Sequence, residues 1–143
     1  MQSFPSIKNI LIFLIITLTG SVAFANDDLF VQARELQRDG KYDEAIKAFK
    51  GYLLQPIDTK SLSKEQLITY TDALMQLMNT FQSKGEPEAC VTTMQEIYKL
   101  SPVLQRTCLR DYYSVMGYAL SRTERMKDAE ETMLKAFTIP LHH

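Results

Sequence analysis

The 143-residue chain has no tryptophan, two cysteines, and two histidines that stand side by side at the end as His142 and His143. A nucleophile with a histidine base, or a metal held by His and Cys, needs several such side chains brought together, so the material for either is scarce. The five glycines are isolated, which removes the glycine-rich loop that cradles phosphate. Neither sign of charge dominates: 16 Lys and Arg stand against 17 Asp and Glu, a net charge of −1, and nothing electrostatic calls for nucleic acid. What remains is a 45% hydrophobic, 23% charged composition, typical of a packed globular domain. With few Gly and Pro to interrupt helices, an all-α fold is expected. The length fits one domain, or a piece of a larger protein.

Residues 1–25 stand apart. Lys8 gives a positive flank, Ile10 to Leu18 is almost wholly apolar, and Ala23-Phe24-Ala25 offers small residues at the two positions a signal peptidase reads. The segment reads as an export signal cleaved after Ala25, which places the mature part in the periplasm or another extracytoplasmic space. The competing reading is an uncleaved anchor. Ile10 to Ala25 is 16 residues, short of the roughly 20 that span a bilayer. No membrane contact is expected of the mature part.

Export would place Cys90 and Cys108 in an oxidising compartment, where a pair invites a disulfide. If a turn near Ser101-Pro102 joins two antiparallel helices, the two are offset by about 9 Å at 1.5 Å per residue. Bridged Cα atoms are seldom more than about 7 Å apart. Two reduced, buried thiols are therefore expected, with no nearby histidine to activate them.

The mature chain carries an internal repeat, whose clearest copy starts at Asn26. Leu29, Ala33 and Leu36 share one face of a first helix. Arg38-Asp39-Gly40-Lys41 breaks it, and Tyr42-Asp43-Glu44-Ala45-Ile46-Lys47-Ala48-Phe49 opens a second with Tyr42, Ala45, Ile46 and Phe49 at helical spacing. The stretch from Gly40 to Phe49 resembles the turn and second-helix signature of the tetratricopeptide repeat family. Two looser copies follow. In one, Leu74, Leu77, Met78 and Phe81 form the first-helix stripe, Lys84-Gly85-Glu86-Pro87 turns, and Cys90, Met94 and Ile97 face inward before Pro102. In the other, Tyr113, Met116, Gly117 and Leu120 precede Met126, Ala129, Met133 and Ala136, and Pro140 closes the unit. The resemblance implies antiparallel helix-turn-helix hairpins stacked as an irregular solenoid of about three units, over residues 26–56, 63–102 and 103–141.

Small residues recur where paired helices cross closely: Ala33 and Gly117 from the first helices, Ala45, Cys90 and Ala129 from the second. The spacing from Ala45 to Cys90 and from Cys90 to Ala129 is longer than the family's repeat of 34 residues, so the connections hold extra chain. Residues 55–62 read as a loop, Ser63 with Gln66 offers a capping box, and a helix is expected from Lys64 to about Gln82. A solenoid normally ends on a helix with a polar outer face. Here the last helix, with Met133, Leu134, Ala136 and Phe137, is expected to leave an apolar face uncovered, which a longer protein or a second copy could cover.

No catalytic constellation, metal cluster or cofactor-binding motif is found in the sequence, so no enzymatic role, metal or cofactor is expected. Asp27-Asp28 reads as a helix cap and Glu130-Glu131 as a solvated face. The resemblance implies a concave groove, lined by first helices, that holds a peptide or helix of another protein. Carried over by position, it presents Phe30, Arg34 and Gln37, then Met75, Asn79 and Gln82, then Ser114, Tyr118 and Ser121. Phe30, Arg34 and Tyr118 are the expected anchors. Asn79 alone does not reproduce the family's carboxylate clamp. A weaker resemblance is to the periplasmic sensory region of membrane histidine kinases, of which this chain would be the front end. A self-associating scaffold is the third expectation.

Overall fold

The computed structural model describes residues 25–140, so the expected export segment before Ala25 and the two histidines lie outside the described residues. Seven helices follow in order: α1 (Ala25–Arg38), α2 (Tyr42–Leu53), α3 (Lys64–Lys84), α4 (Pro87–Leu100), α5 (Pro102–Arg106), α6 (Leu109–Ser121) and α7 (Met126–Thr138). There is no strand among the described residues, and the fold is all-α.

Local chemistry sets the boundaries. The α1–α2 and α3–α4 turns are built alike. Gly40 and Gly85 take φ of +73° and +72°, a left-handed conformation that glycine adopts without steric cost. After each glycine the next amide reaches back five residues, Lys41 N–H to the Leu36 carbonyl and Glu86 N–H to the Phe81 carbonyl, which satisfies carbonyls the helix ends leave open. Ser63 and Gln66 form the reciprocal cap of α3: Gln66 N–H donates to Ser63 Oγ at 3.1 Å, and Ser63 N–H donates to Gln66 Oε1 at 2.8 Å. Helix α3 then runs two residues past the expected Gln82.

Three expectations are corrected. Pro102 does not simply end a hairpin; it opens the five-residue α5, whose N-cap is Ser101. Pro suits that first-turn position because its missing N–H has no helical partner to lose. Cys108 is consequently the N-cap of α6 and not a residue six positions down an antiparallel helix, although both cysteines are free and buried as expected. Asp27 and Asp28 lie within the first turn of α1 and do not precede it. Met126, placed with Ala129, Met133 and Ala136 in the second helix of the last unit, opens α7 and is exposed there.

The helices pair as hairpins α1–α2, α3–α4 and α6–α7, and each second helix packs on the first helix of the next pair, α2 on α3 and α4 on α6. Helix α5 bridges α4 and α6. The small positions are packing positions: Ala33, Ala45, Cys90, Gly117 and Ala129 are all buried. Around them close Phe49, Leu74, Leu77, Met94, Ile97 and Leu104, each essentially inaccessible to solvent. Burial of this kind contributes roughly 1.5–3 kcal/mol for a large apolar side chain.

Candidate functional site

The nine positions expected to line a groove fall on α1, α3 and α6 in three different settings. On α1, Phe30 is drawn into the core seam. Its ring lies 6.2 Å from that of Phe49, edge-on, and 5.7 Å from that of Tyr52. Gln37 ties α1 to α3, its Nε2 donating to Gln76 Oε1 at 3.2 Å and to Thr80 Oγ1 at 3.1 Å. Arg34 is half-buried between them in sequence and on the same helix.

On α3, Met75 stays 44% exposed and shares a shallow depression with Ile68, Asp72 and, from α6, Asp111. Asn79 is half-buried, and its backbone carbonyl accepts from Ser83 Oγ. Gln82 is also half-buried, with its Nε2 inaccessible and lacking an acceptor among the described residues.

On α6, Ser114 and Tyr118 come together with Arg110, one turn earlier, and with Met133, Ala136 and Phe137 of α7 around a depression of about 240 Å³. Ser121 lines the neighbouring depression along α7 with Met126, Leu134 and Phe137. Tyr118 is 40% exposed and is held in place: Arg122 Nη2 donates to its hydroxyl at 2.9 Å, and the same guanidinium lies 5.3 Å from the ring centroid. The hydroxyls of Ser114 and Ser121 donate to the Arg110 and Tyr118 carbonyls of their own helix. Sequence reasoning missed Ile68, Arg110 and Asp111, and it placed Phe137 on the uncovered face of the last helix, not beside Ser114 and Tyr118. Arg110, Ser114 and Tyr118 recur every four residues, so the ridge on α6 was readable as a period; the α7 wall facing it was not.

The titratable groups inside the fold are displaced away from reactivity. Burial pushes the Cys90 thiol up to about 12 and that of Cys108 up to about 11; such thiols are poor nucleophiles at neutral pH. Burial raises the Tyr70 and Tyr112 phenols as well. Among the described residues no three His, Cys, Asp or Glu side chains are placed to hold a metal ion, and no helix is long and apolar enough to cross a membrane. Comparison of the chain with protein-family models, with curated proteins and with solved structures returns no match.

Proposed function

We propose that the chain is a non-catalytic protein-interaction module of the tetratricopeptide type, exported through its N-terminal segment, whose first helices offer a groove to a peptide or helix of another protein. The observation that carries this reading is the exposure of Met75 and Tyr118 on successive first helices, α3 and α6. Large side chains held at a surface by a rigid scaffold are typical sources of contact energy. The matching turns at Gly40 and Gly85 support the repeat character. Selection of short peptides from a random library on the immobilised chain tests the groove. Arg34→Ala and Tyr118→Ala should each weaken binding of the selected peptides about tenfold, the size of a roughly 1.4 kcal/mol contact, without changing the helical circular dichroism. Binding that ignores both substitutions counts against the reading.

The same architecture suits the sensory part of a membrane receptor. Fractionation of the source cells with mass determination of the native product separates the two. A released envelope species with the mass of residues 26–143 favours a self-contained module, and a larger membrane-bound species favours the receptor.

A further inference from the structure

We infer that the outer face of α7 is a seat for an amphipathic helix of another protein, one that carries an acidic residue at its C-terminal end. The face is the third copy of a surface the chain uses twice internally. Each second helix has its small crossing residue: Ala45 in α2, Cys90 in α4 and Ala129 in α7. The positions four, seven and eight residues further on are Phe49, Tyr52 and Leu53 in α2, and Met94, Ile97 and Tyr98 in α4. Each set touches the first helix of the next hairpin: the Tyr52 ring centroid lies 6.3 Å from that of Tyr70 of α3. Leu53 is 1% exposed, and Tyr98 stacks on Tyr112 of α6 with ring centroids 4.6 Å apart. In α7 the corresponding residues are Met133, Ala136 and Phe137. Ala136 is buried and Met133 is half-buried against Gly117 of α6, but no described helix covers the outer edge: Phe137 is 78% and the adjoining Leu134 58% exposed. An apolar stripe of that size, set in a position the fold elsewhere fills with a helix, marks an interaction surface.

Charge selects the occupant. Two residues before each crossing residue stand Asp43, Glu88 and Lys127. Asp43 pairs with Lys84 at the C-terminal end of α3, and Glu88 lies 3.9 Å from Arg125, just beyond the end of α6. In the first, an acid on the seat meets a cation in the last turn of the seated helix; in the second it meets one four residues beyond that helix, at the N-cap of α7. Lys127 reverses the sign, and no ion pair joins it among the described residues. Exposed pairs add little affinity, but they fix register and reject partners of the wrong sign. A helix with Glu or Asp at that end is the complement.

A second copy seated head to tail fits poorly. It would offer α1, whose outward positions by the same register are Asp28, Val31, Gln32 and Glu35, all exposed. In α3 those positions hold Ala73, Gln76, Leu77 and Thr80. Seating α1 would press two carboxylates against Leu134 and Phe137 without partners, which is costly.

The test uses the helix that fills the first seat. A fluorescein-labelled peptide of residues 63–84, and the same peptide carrying Lys84→Glu, are titrated against the full chain by fluorescence anisotropy. The Glu peptide should bind several-fold tighter, Lys127→Glu in the full chain should reverse that preference, and Phe137→Asp should abolish binding of both with unchanged circular dichroism. A preference that survives Lys127→Glu overturns the choice of an acidic partner. Binding indifferent to Phe137→Asp, or no binding of either peptide, overturns the seat. A concentration-dependent dimer in light scattering that Phe137→Asp dissolves would make a second copy the occupant, and overturns the proposal equally. Arg34→Ala, which tests the groove, leaves these titrations unchanged, so either reading can fail alone.

Discussion

The Tyr70 hydroxyl lies 2.5 Å from Ser101 Oγ and 2.8 Å from the Leu53 carbonyl, so one buried phenol joins the end of α2, the first half of α3 and the α4–α5 junction. The protons have one consistent arrangement. Tyr70 donates to the Leu53 carbonyl, Ser101 donates to Tyr70, and the Leu104 N–H donates to Ser101 Oγ at 3.3 Å. Three elements distant in sequence share this one chain of hydrogen bonds.

Tyr70→Phe removes the centre of the chain and leaves the buried Leu53 carbonyl unpaired. A loss of about 1–2 kcal/mol is expected, read from urea denaturation. Ser101→Ala should cost a similar amount, and the double variant less than the sum, because both remove the same bond.

The helix-end devices predict opposite signs at two glycines. Gly85→Ala should destabilise by about 1 kcal/mol, since φ of +72° strains any side chain although space is open. Gly51→Ala, inside α2 with nothing within 4 Å of the added Cβ, should stabilise by roughly 0.5–1 kcal/mol. Thermal melts of the two variants against the parent decide this.

Gly117 is different. A Cβ there would stand 2.5 Å from Met133 Cγ and 3.3 Å from the Met133 backbone nitrogen. Gly117→Ala should therefore cost about 1–2 kcal/mol net of the gain in helix propensity. Met133→Ala in the same background should recover part of it, and a double-mutant cycle measures how much.

The thiols predict an alkaline limit. In the unfolded chain each cysteine loses its proton near its ordinary value, whereas Cys90 and Cys108 stay protonated in the fold up to about 12 and about 11. Between those limits the native state binds more protons than the unfolded state, so stability is full below about pH 9 and falls as pH rises beyond it. Urea midpoints should drop from pH 8 to about pH 10.5, and less steeply in Cys90→Ala. At neutral pH, native protein should resist a disulfide-exchange reagent that titrates both cysteines once urea is added.

Much of the architecture was legible in local sequence because its causes are local. Gly40 and Gly85 mark their turns through a backbone conformation that other residues avoid, and Ser63 with Gln66 caps α3 within a single turn. The stripe of Leu74, Leu77, Met78 and Phe81 needs only a period of 3.6 to announce a buried face. The α5 helix was missed because Pro102 signals a break after α4 and a start for α5 alike. The groove was the least legible part. Phe30 and Gln37 occupy the same side of α1 as Arg34, yet Phe30 meets Phe49 and Tyr52, and Gln37 meets Gln76 and Thr80, partners 19 to 43 residues away.

By itself the sequence determined helix positions, turn chemistry and which faces are apolar, since propensity, capping and periodicity act over a few residues. The tertiary structure decided how the apolar faces are covered, beyond the open last helix that the resemblance to a solenoid implied. Leu53 and Phe137 stand at the same place in their repeats and are comparable in hydrophobicity; one is buried and the other exposed because α3 lies over the first and no described helix lies over the second. Burial belongs to the arrangement of neighbours, and a residue's own identity carries no record of that.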